Sequence, residues 1–432
     1  MNIRLPAFLA DPIRTDAAYA VVGAAVFDGT PTPPTPDRTV VIRAGRIESI
    51  GARDDGVPDD VVVVDGAGCT LMPGLVEAHS HVTMVEYVAS FPHPAHGAEP
   101  LYPAVRGHVL ADNLRRGLRM GVTTIRDVGA YGDTLLEVRQ AVRYGAFVAP
   151  RLLTCGRIVS ATAPGGRFFP EMYREADGAD DMRRAVREQI RRGADFVKIM
   201  STGARSVEME NPHPAQVTDA EMAAFVDEAS RQGYRTAAHA EGMGGTEAAI
   251  LAGCDTIEHG FYLNQRPELL DHMAAHDQTL VPTLGFLHHV AESGEWTDLL
   301  EEQGEYNVEQ AHLTLAAAKA AGVRIAMGAD AGDAERIHEE IGWMIQHGLN
   351  PQEALVAATS GSAEALGISA EVGTVAVGKL ADLLVVGGDP LADPTLLGKR
   401  DAIRLVFRNG APAAGTLLER SLESGTSNRT QG

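Results

Sequence analysis

The residues able to do chemistry are histidines, one lysine and one aspartate placed at or near the ends of apolar runs. His79-Ser80-His81 follows the run Leu71–Ala78. In an extended segment, residues two apart point to the same face, so both imidazoles can reach one ion. A bare His-x-His is a weak signal alone. Lys198 lies inside Phe196-Val197-Lys198-Ile199-Met200, where desolvation favours the neutral amine. By itself it reads as a packed stem with its head in solvent. The alternative is an amine that adds carbon dioxide and becomes a carbamate, an anionic oxygen donor able to bridge two metal ions. His239 and His259 each end an apolar run before a glycine-containing loop, and Asp330 follows Ala326-Met327-Gly328-Ala329. Singly, these also read as core histidines or a helix-capping aspartate. Together, four imidazoles, one carboxylate and one lysine form a donor complement for two zinc-like ions.

Such a set needs a fold that gathers it. Strands are expected at Leu71–Ala78, Thr123–Asp127, Arg151–Ile158, Phe196–Met200, Arg235–Ala238, Thr256–Glu258, Thr279–Thr283 and Arg324–Met327. Helices are expected between them, among them Asp180–Arg192, Thr218–Gln232 and Gln310–Ala321. Glu221 stands three after Thr218 as a capping box, and Gly322 follows the last helix. Eight strand–helix alternations predict a (β/α)8 TIM barrel, whose site lies at the C-terminal strand ends. A doubly wound sheet ranks second, because no Gly-x-Gly-x-x-Gly follows an early strand.

Short Val/Ile-rich strands occur at both ends: Ala20–Ala25, Thr39–Arg43, Arg46–Ile50 and Val61–Val64, then Gly373–Val375, Asp382–Val386 and Ile403–Phe407. Turn residues separate them. They predict a small β-sandwich assembled from both chain ends. The expected division is a tail at 1–17, sandwich at 18–71 and 371–416, barrel at 72–370 and a polar tail at 417–432.

The 432 residues carry 37 Lys+Arg against 58 Asp+Glu, a net charge of −21. An acidic body argues against nucleic acid or anionic membrane as partner and leaves a small-molecule substrate, any anion being recognised locally. Three scattered cysteines, Cys69, Cys155 and Cys254, exclude a disulfide scaffold. The N-terminal apolar run Leu5–Ala10 is too short and broken for a signal peptide or span, so a cytoplasmic protein is expected.

Met72-Pro73-Gly74-Leu75-Val76-Glu77-Ala78-His79-Ser80-His81 resembles the first-strand signature of the metal-dependent amidohydrolase superfamily. Val377-Gly378-Lys379-Leu380-Ala381-Asp382-Leu383 resembles its closing β-domain motif. Ala194–Met200, His239, Ile257-Glu258-His259-Gly260 and Val281-Pro282-Thr283 are similar to the Xaa-Pro dipeptidase and ochratoxinase-like branch. The resemblance implies that His79, His81 and Asp330 hold one ion, His239 and His259 the other, and carboxylated Lys198 bridges them. It implies two divalent ions, zinc expected, a metal-bridging hydroxide as nucleophile, and Asp330 as general base. Amide or peptide bonds would be cut in dipeptides, N-acyl amino acids or an amide-containing xenobiotic. Relatives often assemble into homo-oligomers, although no interface is legible here.

Two departures stand out. Glu77 replaces the usual Asp, which leaves the ligands intact. The loop Ser160–Phe169 lacks the branch's substrate-touching Gly-His pair, and Arg167 is the candidate replacement for binding a carboxylate. Arg205, Tyr262 and His289 or its neighbour His288 are further substrate-side candidates. The segment Val82–Tyr102, with Tyr87, Phe91, His93 and His96, has the length of a lid. His272, His276, His312 and His347 read as surface or packing residues. Two alternatives stand beside the hydrolase: a mononuclear deaminase of a heterocycle using Glu241 as its acid, and a catalytically inactive scaffold of the same fold.

Overall fold

The computed structural model describes residues 17–86, 102–207, 209–293 and 298–419. Strands β1 (Ala18–Val26), β2 (Thr35–Arg43), β3 (Arg46–Ala52), β4 (Val61–Asp65) and β5 (Cys69–Pro73) come first. They are followed by β6 (Leu75–Ser80), β7 (Val122–Asp127), β8 (Arg151–Thr154), β9 (Ile158–Ser160) and β10 (Tyr173–Glu175). Next are β11 (Val197–Met200), β12 (Thr236–Ala240), β13 (Thr256–His259), β14 (Thr279–Val281) and β15 (Arg324–Ile325). β16 (Leu383–Gly387), β17 (Ile403–Arg408) and β18 (Ala411–Ala414) complete the described strands.

Strands from both chain ends share one sheet, in the order β18-β17-β16-β5-β1-β2-β3, with β4 on β1. It curls: the Gly45 turn reaches back so that Ala381 N donates to Gly45 O at 2.9 Å, and Tyr19 on β1 meets Phe407 on β17 with ring centroids 5.5 Å apart. One apolar cluster, including Val21, Ile42, Leu383 and Phe407, fills the curl. Arg151 on β8 ties this sheet to the centre, donating to Asp382 at 2.8 Å and to Asn409 at 2.7 Å. Burial pushes the Asp382 carboxyl up, but Arg151 and Arg408 outweigh it and hold it below the usual range.

The centre is α/β with two parallel sheets, β6-β7-β8 and β10-β9-β11-β12-β13-β14-β15. Backbone bonds join them: Asp195 N to Thr154 O, Ala78 N to Met327 O and Asp330 N to His79 O, each 2.8 Å. The expected capping box is present, with Glu221 N donating to Thr218 Oγ1 and Thr218 N to the Glu221 carboxylate.

Several expected elements divide or vanish. Leu71–Ala78 is two strands in different sheets, split at Gly74, where a Cβ would lie 2.1 Å from Thr123 Oγ1. Arg151–Ile158 also splits: Gly156 takes φ +69°, and β8 pairs with β7 while β9 pairs with β11. Gly373–Val375 is no strand; Val375 N donates to Asp28 O instead. The helix expected at Gln310–Ala321 begins at Asp298. No described helix is long and apolar enough to cross a membrane.

Candidate metal centre and its cavity

The chemistry-bearing side chains converge at the C-terminal ends of the central strands. β6 delivers His79, whose Nδ1 lies 2.7 Å from Glu258 Oε2 and whose Nε2 lies 3.5 Å from Asp330 Oδ1. His81 donates from Nδ1 to Gly129 O at 3.0 Å, which leaves Nε2 as the bare nitrogen, 3.6 Å from the same Asp330 oxygen. On β12 and β13, His239 Nδ1 and His259 Nε2 are 2.9 Å apart, and His259 Nδ1 meets Thr283 Oγ1 at 2.8 Å. One donor atom each from His79, His259 and Asp330 falls within 4.8 Å of the others.

Backbone conformation aims these groups. His259, Thr283 and Asp330 take left-handed φ values of 71°, 50° and 50°. Such conformations cost energy in non-glycine residues and persist where the surroundings hold them. Burial lowers His81 to about 4 and His259 well below the ordinary imidazole range, so both rings are neutral, the form that ligates metals. At Asp330 burial acts upward, but His79, His81 and Lys198 prevail and the carboxyl is held below its usual value.

Lys198, on β11, is 2% exposed, and its Nζ has no hydrogen-bond partner. Burial lowers its pKa to about 8. Beneath the histidines, Glu258 is wholly buried and receives Arg126 Nη2 at 2.8 Å as well as Thr256 Oγ1. Burial alone would protonate it; Arg126, Lys198 and His79 keep it ionised, far below the usual range. Glu77 accepts His79 N at 2.8 Å and Ala329 N at 3.0 Å, fastening β6 to the Asp330 loop, and burial pushes its carboxyl well up.

A cavity of about 180 Å³ opens before this set. His289 lines it, as do the six residues of the expected ligand set. The other substrate-side candidates are placed differently. Arg167 is exposed on the short helix Pro164–Phe168 and does not line the cavity; Phe169 does. Arg205 is buried against Glu241, with Nε–Oε2 at 3.1 Å, and donates to Tyr262 Oη at 3.2 Å, which in turn donates to Asn307. His288 stacks on Trp343 with centroids 3.7 Å apart and pairs with His347. His312 and His276 are exposed. Tyr87, Phe91, His93 and His96 lie outside the described residues.

Glu258 and Arg126 carry no role in the sequence reading. Their signal was a charge within an apolar strand run, which a buried strand tolerates only when paired.

Residues 70–412 match the amidohydrolase family. The chain belongs to that family. This amidohydrolase is 30% identical over 368 residues to ochratoxinase from Aspergillus niger, covering 79% of this chain and 75% of that protein. A solved Xaa-Pro dipeptidase with methionine bound in its active site superposes with TM-score 0.83, at 26% identity, over 92% of this chain and all of the other. The A. niger ochratoxinase structure gives 0.82 at 26% identity, over 92% and 96%. These relatives put the amidohydrolase on the ochratoxinase and Xaa-Pro dipeptidase branch, as a hydrolytic enzyme acting on amide C–N bonds.

Proposed function

We propose that this amidohydrolase is a binuclear metal-dependent hydrolase of dipeptides, N-acyl amino acids or an amide-containing xenobiotic. The observation that carries the reading is the buried, partnerless Lys198 amine beside neutral imidazoles and an ionised Asp330. The donor chemistry fits divalent ions. His79, His81 and Asp330 would hold one, His239 and His259 the other, with Lys198 between them as a carbamate. A neutral amine is the species that reacts with carbon dioxide: its nitrogen forms the new N–C bond, one amine proton leaves, and a monoanion results. When bound, two such ions lower the pKa of water and polarise a carbonyl.

The chain's own groups do the rest. Asp330 accepts the proton of the attacking water and delivers it to the leaving amine. Glu258, Gly129 O and Thr283 fix the ring orientations. The two parallel sheets read as one (β/α)8 barrel, closed through the bonds from Ala78 and Asp330 to Met327 and His79. The expected barrel domain at 72–370, flanked by 18–71 and 371–416, follows from that reading. Glu241 suits a supporting role better than that of a deaminase acid, because its pair with Arg205 and its contact with His239 hold it ionised despite burial.

The test is metal analysis coupled to hydrolysis of Xaa-Pro and other dipeptides, N-acyl amino acids, aryl amides and aminated heterocycles. About two metals per chain with release of the amine product is expected. One metal with ammonia release from a heterocycle, or less than about one metal with no hydrolysis, overturns the proposal.

A further inference from the structure

The cavity before the ligand set has two unlike walls. One carries Met84, Ile158, Phe169, Met172 and Met200, which pack together as a satellite apolar cluster. Thioethers are polarizable and adapt their rotamers, so this wall suits a flat or branched apolar group. The remainder of the lining is rich in acid: Glu241, Asp330, Asp333, Glu339 and Glu340.

Against these, the described lining residues include two basic side chains other than histidines, Lys198 and Arg336. Lys198 belongs to the ligand set. Arg336 already forks onto Glu339, Nε to Oε1 at 2.9 Å and Nη2 to Oε2 at 2.8 Å. Arg205, behind the wall, is engaged by Glu241 and Tyr262, and Arg167 is not in the lining. Arg116 stands near, but its Nη1 donates to both oxygens of Asp333, at 3.0 and 3.2 Å. The net charge of −21 adds long-range repulsion of anions. A carboxylate entering beside these walls would shed water without meeting an uncommitted side-chain cation among the described lining residues.

We infer that this amidohydrolase selects uncharged apolar amides, lacking a free carboxylate where a dipeptide or N-acyl amino acid bears one. Its flat or branched apolar group lies against the methionine wall. The inference rests on the amide-hydrolase reading and narrows its substrate class. Glu339 is then a specificity-determining residue, because it occupies the guanidinium that would otherwise receive an anion.

The test compares N-phenylacetyl-phenylalanine with N-phenylacetyl-phenethylamine, which differ by the carboxylate alone, on the metal-loaded enzyme. Ketomethylene isosteres of both, titrated calorimetrically, read binding without turnover. The uncharged member should have a kcat/KM and an affinity at least about tenfold higher. Glu339→Gln should narrow that gap about threefold or more by releasing Arg336, whereas Arg336→Gln should leave it unchanged. An equal or better acid, a loss on Arg336→Gln confined to the acid, or binding of neither isostere overturns the inference. Hydrolysis of neither amide, with the binding preference intact, overturns the amide-hydrolase reading instead and leaves the selectivity standing.

Discussion

Glu258→Gln separates what the buried charges do for folding from what they do for the site. Glu258 is fully buried and touches both Arg126, itself 3% exposed, and His79. Removing its charge leaves the Arg126 guanidinium in the interior with a neutral amide for a partner. Breaking a buried pair on one side costs about 3–5 kcal/mol. A glutamine oxygen still accepts one guanidinium N–H, so the lower end, about 3 kcal/mol, is expected. The His79 ring loses its anionic partner at 2.7 Å, and loss of such an outer partner lowers metal affinity roughly 10–100-fold. The double variant Arg126→Met/Glu258→Gln removes both charges. It should regain about 1–2 kcal/mol relative to Glu258→Gln while metal affinity stays low. Urea midpoints at fixed free zinc and metal retained after dialysis against a chelator series read the two effects separately. The reasoning is refuted if Glu258→Gln lies within about 0.5 kcal/mol of wild type, or if the double variant binds metal like wild type.

Lys198→Ala should cut amide hydrolysis roughly 100-fold or more and lower metal content, beyond what loss of a supporting group does; activity near wild type would instead support a mononuclear site. Chelation should lower the unfolding temperature, and zinc should restore it in a concentration-dependent way, because an ion bound only by the folded state stabilises by mass action. Asp382 has a folded pKa below its unfolded value, so its contribution is present above the ordinary carboxylate range and lost as pH falls through the folded value. Asp382→Asn should therefore be about 3 kcal/mol less stable at pH 7, the gap narrowing below about pH 4, as followed by urea unfolding across pH. Gly74→Ala should destabilise by about 2 kcal/mol or more through its clash with Thr123, with thermal unfolding as the readout.

The candidate histidines and Asp330 stood out because they lie at the ends of apolar runs, where parallel strands present side chains, and Lys198 because it is a charge inside one. The breaks at Gly74 and Gly156 were not. A glycine inside a hydrophobic run announces a break only when the neighbour it must clear is known, here Thr123 for Gly74. Arg205 reads in the sequence as a substrate-side candidate, but an arginine's direction is decided by its acids, and Glu241 turns this one into the wall. Arg126 and Glu258 are 132 residues apart, so no local pattern pairs them. Their joint presence within strand runs was the available clue.

The acidic composition also has an internal use that net charge conceals. Buried carboxylates around the cavity accept backbone N–H groups from the loops after the strands. Glu77 takes His79 N and Ala329 N; Asp127 takes Val82 N and Gly129 N; Glu340 takes Leu284 N and Gly285 N. Glu210 joins the short helix Pro164–Phe168 to the loop after β11, accepting Gly165 N at 2.7 Å and Ala204 N at 2.7 Å. Irregular segments have no ladder to satisfy their amides, so an acceptor must come from a side chain. A carboxylate with two oxygens can clamp two chain segments at once. Burial pushes Glu77 and Asp127 well up and Glu340 to about 8, favouring their neutral forms. Two of these clamps sit beside residues with left-handed φ values: Glu77 grips the residue before Asp330, and Glu340 the residue after Thr283. Part of the chain's excess of acidic residues thus serves as fastening for the ligand set rather than as charge facing solvent.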